Sequence, residues 1–410
     1  MRLLFLCHRL PWPPHKGEKI RSFNILKYLA SRHEIYLAGL VDEVGDVSQL
    51  SALRPLVREL LFERLHPKAR RLLAMGSLLA ARPVTSTYFH SLNLQRRVDA
   101  LIEQKQIQAV FCSSSPMAEY IFRSRHVGAL EELPRVMDLI DVDSAKWTQY
   151  AAESGPWSAW LYRREARCLA ALEERIARSF DRVLVVSEQE KRYFPMAGGS
   201  ERLLAVGNGV DLDYFKPRAR LQSAAPTLVF TGVMDYRPNV QGILWFAERI
   251  LPQVRAAVPD VRLVIVGNRP ARSVALLGRR AGIEVTGFVP DVREHLAQAS
   301  LCIAPLRIAR GVQNKVLEAM AMGRPVVATP QAFEGIEATP GQDLLVADSE
   351  EEFAGQTIEL LRHSSLAEQI GDRARACVER RYAWQRQLQV LDQLFPVQAV
   401  AVRNRLPQAV

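Results

Sequence analysis

Short apolar runs alternate with stretches of helical periodicity along the whole chain. In the first half, the runs at 2–7, 34–40, 108–113, 136–140 and 182–187 read as buried strands. Segments 19–31, 117–125 and 157–179 lie between them and are long enough to be crossover helices. The second half repeats the scheme with runs at 227–231, 262–266, 284–286, 301–304, 325–328 and 344–346. Helical patterns at 240–251, 292–299, 314–322, 351–362 and 366–380 follow them. Strand–helix alternation of this kind predicts a parallel sheet covered on both faces.

Two such series predict two Rossmann-like, doubly wound α/β domains, at 1–200 and 201–383. The stretch 217–226, where Pro, Ser and Ala gather, reads as their linker. A helical pattern at 384–396 is expected to return to the first domain. At 410 residues the chain is long for one core and suited to two. Ligands of doubly wound sheets bind at the carboxyl ends of the strands. Two domains facing across a cleft would hold two substrates there, so functional residues are expected just after strands.

Composition narrows the class. The chain is 48% hydrophobic and 24% charged, the balance of a folded protein and not of a disordered one. Its five cysteines are far apart, with no Cys-x-x-Cys pair, which argues against a disulfide framework or a zinc site and for a reducing cytoplasm. The first apolar run is too short for a signal peptide, and no run is long enough to span a membrane. The net charge is +10, and residues 54–82 carry seven basic and two acidic side chains with interleaved leucines. That segment, broken at Pro67, reads as two basic amphipathic helices. They can lie on the inner-membrane surface or pack on the core. No nucleic-acid recognition module is present in the sequence.

The richest segment for chemistry starts at Gly311 and continues through Val312, Gln313, Asn314, Lys315 and Glu318 to Gly323. It follows a strand, turns at a glycine and opens a helix. Free backbone N–H groups at such a terminus favour an anion such as a diphosphate. Lys315 adds a positive charge, and Glu318, on the same side, can accept hydrogen bonds from ribose hydroxyls. A surface i,i+3 ion pair is the alternative. A second segment, from Phe230 to Asn239, ends a strand at Gly232 and offers Arg237 to a phosphate beside Pro238. A third, from Asp138 to Trp147, places carboxylates after a strand. Asp141 or Asp143 can orient or deprotonate an acceptor hydroxyl, and Asp143 can equally be a helix cap.

The segment from Glu318 through Ala319, Met320, Ala321, Gly323, Pro325 and Val326 resembles the large retaining family 4 of glycosyltransferases with the two-Rossmann (GT-B) architecture. Asn208, Gly209, Val210 and Asp211 resemble a further family segment, as do Val185 to Glu190. The family's first acid would fall at position 310, which is Arg310 here, so the resemblance implies an acidic sugar or a phosphate at that point. It also implies donor contacts at Gly17, Gly232, Asn239, Gly267, Phe288, Val289, Gly311, Val312 and Asn314. Lys16, Lys19 and Arg21 would pair with donor or acceptor charges.

The nearest likeness is to sugar transferases of PEP-CTERM/exosortase-associated exopolysaccharide clusters. It implies a nucleotide-sugar donor, a glycan or polyprenyl-linked acceptor and a cytoplasmic enzyme at the inner membrane. Asp141-Val142-Asp143 and Asp211-Leu212-Asp213 match the Asp-x-Asp pattern of metal-dependent transferases. With Arg237 and Lys315 to neutralise the leaving group, no metal and no cofactor are expected. Two other readings stay open: a sugar-nucleotide epimerase on the same fold, and a non-catalytic membrane- or polyanion-binding protein with a decayed donor site.

Overall fold

The computed structural model describes the chain except residues 15–16, 43, 67–69, 71–73, 75, 78–81, 153, 195–199, 219–224, 310 and 397–410. The chain forms two compact units, Met1–Val206 with Leu388–Val410, and Gly207–Gln387. The division falls at Val206, before the proline-containing stretch 217–226 expected to be the linker.

The first unit is built on a seven-stranded parallel sheet. Its strands are β1 (Arg2–Cys7), β2 (Glu34–Val41), β3 (Glu59–Arg64), β4 (Ala109–Ser113), β5 (Arg135–Asp138), β6 (Arg182–Val185) and β7 (Leu203–Ala205). Their spatial order is β3-β2-β1-β4-β5-β6-β7, so the order reverses between β1 and β4. β1 is buried from Leu3 to Cys7 because helices cover both faces of the sheet. Three of its helices matter below: α1 (Gly17–Ala30), α2 (Asp143–Ala152) and α3 (Pro156–Ser179).

The second unit has a six-stranded parallel sheet: β8 (Thr227–Thr231), β9 (Arg262–Val266), β10 (Ile283–Gly287), β11 (Leu301–Ala304), β12 (Val326–Ala328) and β13 (Leu345–Val346). The order is β10-β9-β8-β11-β12-β13, with the reversal between β8 and β11. Helix α4 (Arg237–Trp245) follows β8 and helix α5 (Asn314–Ala321) follows β11. Each unit has its own core of buried aliphatic and aromatic side chains.

The tail returns to the first unit as the short helix Val390–Leu394. Phe395 is fully buried, its ring 6.5 Å from that of Phe111 on β4. Asp392 accepts a 2.9 Å hydrogen bond from the Tyr28 hydroxyl and pairs with Arg32 at 3.0 Å.

The basic segment 54–82 departs from expectation. Its first part closes a 3-10 helix, Val44–Leu56, and then forms the edge strand β3, with Leu61 and Leu65 buried. Leu60, Leu61 and Phe62 pack along an extended strand register on β2, and this backbone pairing outweighs the spacing that suggested a helix. Leu72, Leu73, Leu78 and Leu79 lie outside the described residues.

Candidate functional site

The second unit concentrates its candidate chemistry at its own β8/β11 switch point. Gly232 follows β8 and donates its N–H to Val266 at the end of β9, 3.0 Å away. A Cβ on Gly267 would lie 1.6 Å from the Gly232 carbonyl oxygen, so only glycine fits there. A Cβ on Gly232 would lie 2.6 Å from the Asn239 amide nitrogen and 3.1 Å from the Lys315 amine. Two strand ends and two helix starts therefore converge on one point, with the Asn239 and Lys315 side chains against the bare Gly232 backbone.

Lys315 is held there by specific contacts. Asn239, in the first turn of α4, donates through Nδ2 to the Val233 carbonyl at 2.9 Å, which aims its Oδ1 at the Lys315 amine, from which it accepts a short hydrogen bond. The amine also stands 4.7 Å from the centre of the Phe230 ring, in cation–π range. Burial pushes the Lys315 amine down to about 7 and the Glu318 carboxyl up to about 7, and the mutual attraction of the pair opposes both shifts. By exposed area both residues are half-buried on the outer side of α5, whereas Val316, Leu317 and Met320 face the core.

The start of α5 has no capping side chain. Gln313 instead donates to the Gly311 carbonyl at 3.0 Å, and Gly311 adopts a left-handed φ of 62°. The Asn314 side-chain oxygen is buried without a partner among the described residues. The terminus can thus offer backbone N–H groups to an anion.

Arg237 is exposed at the first position of α4, two residues before Asn239. Val312 is half-buried, and a Cβ on Gly335 would lie 3.5 Å from its Cγ2. Phe288 is exposed and Val289 half-buried after Gly287, at the end of β10. That strand is separated from β8 by β9, roughly 10 Å away across the sheet. Arg310 lies outside the described residues.

In the first unit, Gly17 is exposed at the start of α1, and Lys16 lies outside the described residues. Arg21 was expected to meet a ligand but is buried. Its guanidinium contacts both Asp138 carboxylate oxygens at 2.8–3.0 Å and donates to the Val206 carbonyl at 2.8 Å. A buried charge needs a full set of partners, and the Arg21 donors are directed to Asp138 and Val206. Lys19 is buried as well.

Asp141 is exposed, with Lys146 at 3.7 Å. Asp143 starts α2, accepts a 2.9 Å hydrogen bond from Ser115 and is pushed up to about 6 by burial, against the pull of Lys146 and Ser115. Glu173 on α3, which the sequence did not single out, is fully buried and accepts from the Ser144 N–H at 3.0 Å and from its hydroxyl. Burial raises its carboxyl to about 7 against those donors. Its position on the buried stripe of an amphipathic helix was the available signal. His8 was also missed. It is buried just after β1, its Nδ1 has no partner among the described residues, and burial pushes its pKa down to about 3, which leaves the ring neutral.

All five cysteines are free. Among the described residues no group of three or more His, Cys, Asp or Glu is placed to hold a metal ion, and no helix is long and apolar enough to cross a membrane.

Two doubly wound parallel sheets, the second with an anion-ready switch point, define a protein of the GT-B fold. Solved structures agree: Anabaena Alr3699/HepE in complex with UDP superposes with a TM-score of 0.64 at 16% identity, over 96% of this chain and 99% of that one. Residues 225–363, within the second unit, match the family model Glycosyl transferases group 1. The phosphatidyl-myo-inositol mannosyltransferase of Propionibacterium freudenreichii subsp. shermanii is 34% identical over 131 residues, 30% of this chain and 32% of the relative. The GDP-mannose-dependent monoacylated alpha-(1-6)-phosphatidylinositol monomannoside mannosyltransferase of Corynebacterium glutamicum is 28% identical over 235 residues, 52% of this chain and 61% of the relative. The matches thus span about a third and three fifths of those two relatives' length.

Proposed function

We propose that the protein is a glycosyltransferase of the family 4 type. It moves a hexosyl group from a nucleoside diphosphate sugar to an acceptor, with retention of anomeric configuration and without a metal. The observation that carries this reading is the Lys315 amine, fixed by Asn239 beside the bare backbone of Gly232 and Gly267. Cleavage of the glycosidic bond builds negative charge on the departing diphosphate. Lys315, Arg237 and the backbone amides at Gly311 and the start of α5 stabilise that charge, and the bare backbone of Gly232 leaves room for it. Gly267, Phe288, Val289, Val312, Asn314 and Glu318 complete the nucleotide-sugar site. Asp143, whose carboxyl is raised to about 6, receives the acceptor's proton with Asp141 nearby.

The acceptor in this reading is a polyprenyl-linked glycan of exopolysaccharide synthesis, of the PEP-CTERM/exosortase-associated kind, and the enzyme works on the cytoplasmic side of the inner membrane. Support comes from relatives named for lipid-linked inositol acceptors and for GDP-mannose, and from a fold neighbour holding UDP. The test is a screen of UDP- and GDP-sugars with the purified chain, with and without chelator. Transfer is expected to persist in chelator and to give a retained anomer by NMR. Lys315→Ala is expected to lower kcat/KM by about a hundredfold or more, as for loss of one group that stabilises the transition state. Conversion of donor alone would establish an epimerase instead. Absence of nucleotide diphosphate binding in the parent chain would leave the non-catalytic reading.

A further inference from the structure

Helix α3 breaks the usual rule for an amphipathic helix. Leu169, Leu172 and Ile176 point into the core together with Glu165 and Glu173. The opposite face should be polar. Instead it opens with Trp157, 90% exposed, and Trp160, 58% exposed, followed by the exposed Arg163 and Arg167. At 3.6 residues per turn these four side chains share one stripe. Tyr150, near the end of the neighbouring α2, is 40% exposed. No acidic residue occurs from Ser154 to Arg164, and among the described residues neither Arg163 nor Arg167 is in an ion pair.

The protrusion is braced. The Trp147 ring stands 5.2 Å from Tyr162 and 6.0 Å from Tyr150, and Tyr150 stands 6.3 Å from Tyr162, which clamps α2 to α3. Gly155 and Pro156 open α3 at the tip. Two large aromatic rings are thus presented to water on a rigid support, which lowers the ordering cost of docking.

We propose that this tip seats the protein on an anionic bilayer. Trp and Tyr have an apolar body and a polar edge and favour the water–lipid boundary. Arg163 and Arg167, about one to three turns behind the tryptophans, meet the anionic headgroups. In segment 54–82 the described leucines at 61 and 65 are buried, and those at 56 and 60 are half-buried. The hairpin also sets a distance. Helix α2 runs from Asp143 to Ala152, so the Asp143 carboxylate stands about 15 Å behind the tip. A membrane-anchored acceptor would have to span that distance to reach Asp143. Only this last point rests on the transferase reading.

The test is co-sedimentation of the full chain with vesicles of phosphatidylcholine alone and of phosphatidylcholine with phosphatidylglycerol. Binding is expected only to the anionic vesicles, with a blue shift of tryptophan emission. Trp157→Ser with Trp160→Ser is expected to lower partitioning by about tenfold or more. Arg163→Glu with Arg167→Glu should lower it by about fivefold or more. Both side-chain pairs are exposed, so circular dichroism, thermal midpoint and UDP binding should match the parent. Equal sedimentation of parent and double-Trp variant, or no sedimentation of the parent, overturns the proposal. So does a parent that dimerises in sedimentation velocity through these tryptophans and ignores lipid. UDP binding is read in the same samples, so a failure of the membrane surface is separable from a failure of the transferase reading.

Discussion

An amine that loses its proton near neutrality in the empty site will regain it when a diphosphate arrives. Burial holds Lys315 at about 7, against an ordinary 10.5. A polyanion favours the charged form and raises it again. UDP affinity is therefore expected to be greatest below pH 7 and to fall as pH rises above it, by up to about tenfold per unit. Glu318 ionises in the same range and repels the same anion, so its effect has the same sign. Titration calorimetry across this range checks the slope, which should flatten in Lys315→Ala. Arg21 illustrates the opposite use of a cation. Arg21→Met would strand the buried Asp138 carboxylate and is expected to cost about 3–5 kcal/mol in urea unfolding, without changing UDP affinity. The sequence made both residues candidates, since a cation after a glycine turn looks the same in either case. Only the presence of Asp138 and the Val206 carbonyl at its donors separates Arg21 from Lys315.

Helix α3 works as a beam that closes the ends of other helices. Its Glu165 carboxylate accepts from the N–H groups of Val84 and Thr85 at 2.8 and 2.9 Å, at the start of Val84–Phe89. Glu173 does the same for α2 through Ser144. The raised folded-state carboxyl of Glu173, about 7 against 4.5, means that folding takes up a proton between those values. Stability from this group is thus full below pH 4.5 and lost as pH rises through about 7. Glu173→Gln removes the titration, so the parent's urea midpoint relative to the variant should fall as pH rises over that window. A variant that follows the parent at every pH would contradict this account. Of the strands, all those read from apolar runs formed, with ends shifted by a few residues at most. β3 and β7 were not foreseen: the first mixes charge with leucine, and the second has only three residues.

At the scale of the molecule, two separate cores sit in one chain that leaves the first unit at Val206 and re-enters it at Leu388. A ligand of the second unit should stabilise that unit directly. Scanning calorimetry is expected to show two transitions, with UDP raising the one that belongs to Gly207–Gln387. The shift should correspond to about 2.7 kcal/mol at a hundredfold excess over Kd and be smaller in Lys315→Ala at the same UDP concentration. Uniform elevation of both transitions would mean that the nucleotide is held by both units.

The amino-acid sequence by itself determined the parallel sheets, because strands buried on both faces must be apolar throughout and their crossovers must be long. It also determined the glycine-opened helix at Lys315 and the Gly232 turn, since such conformations need particular residues at particular spacings. Which charges are buried was decided by the tertiary structure alone. Arg21, Glu173 and His8 acquire their surroundings from segments more than a dozen residues away, and spacing along the chain carries no record of those partners. The same holds for Trp157 and Trp160, whose exposure depends on which face of α3 the core takes up.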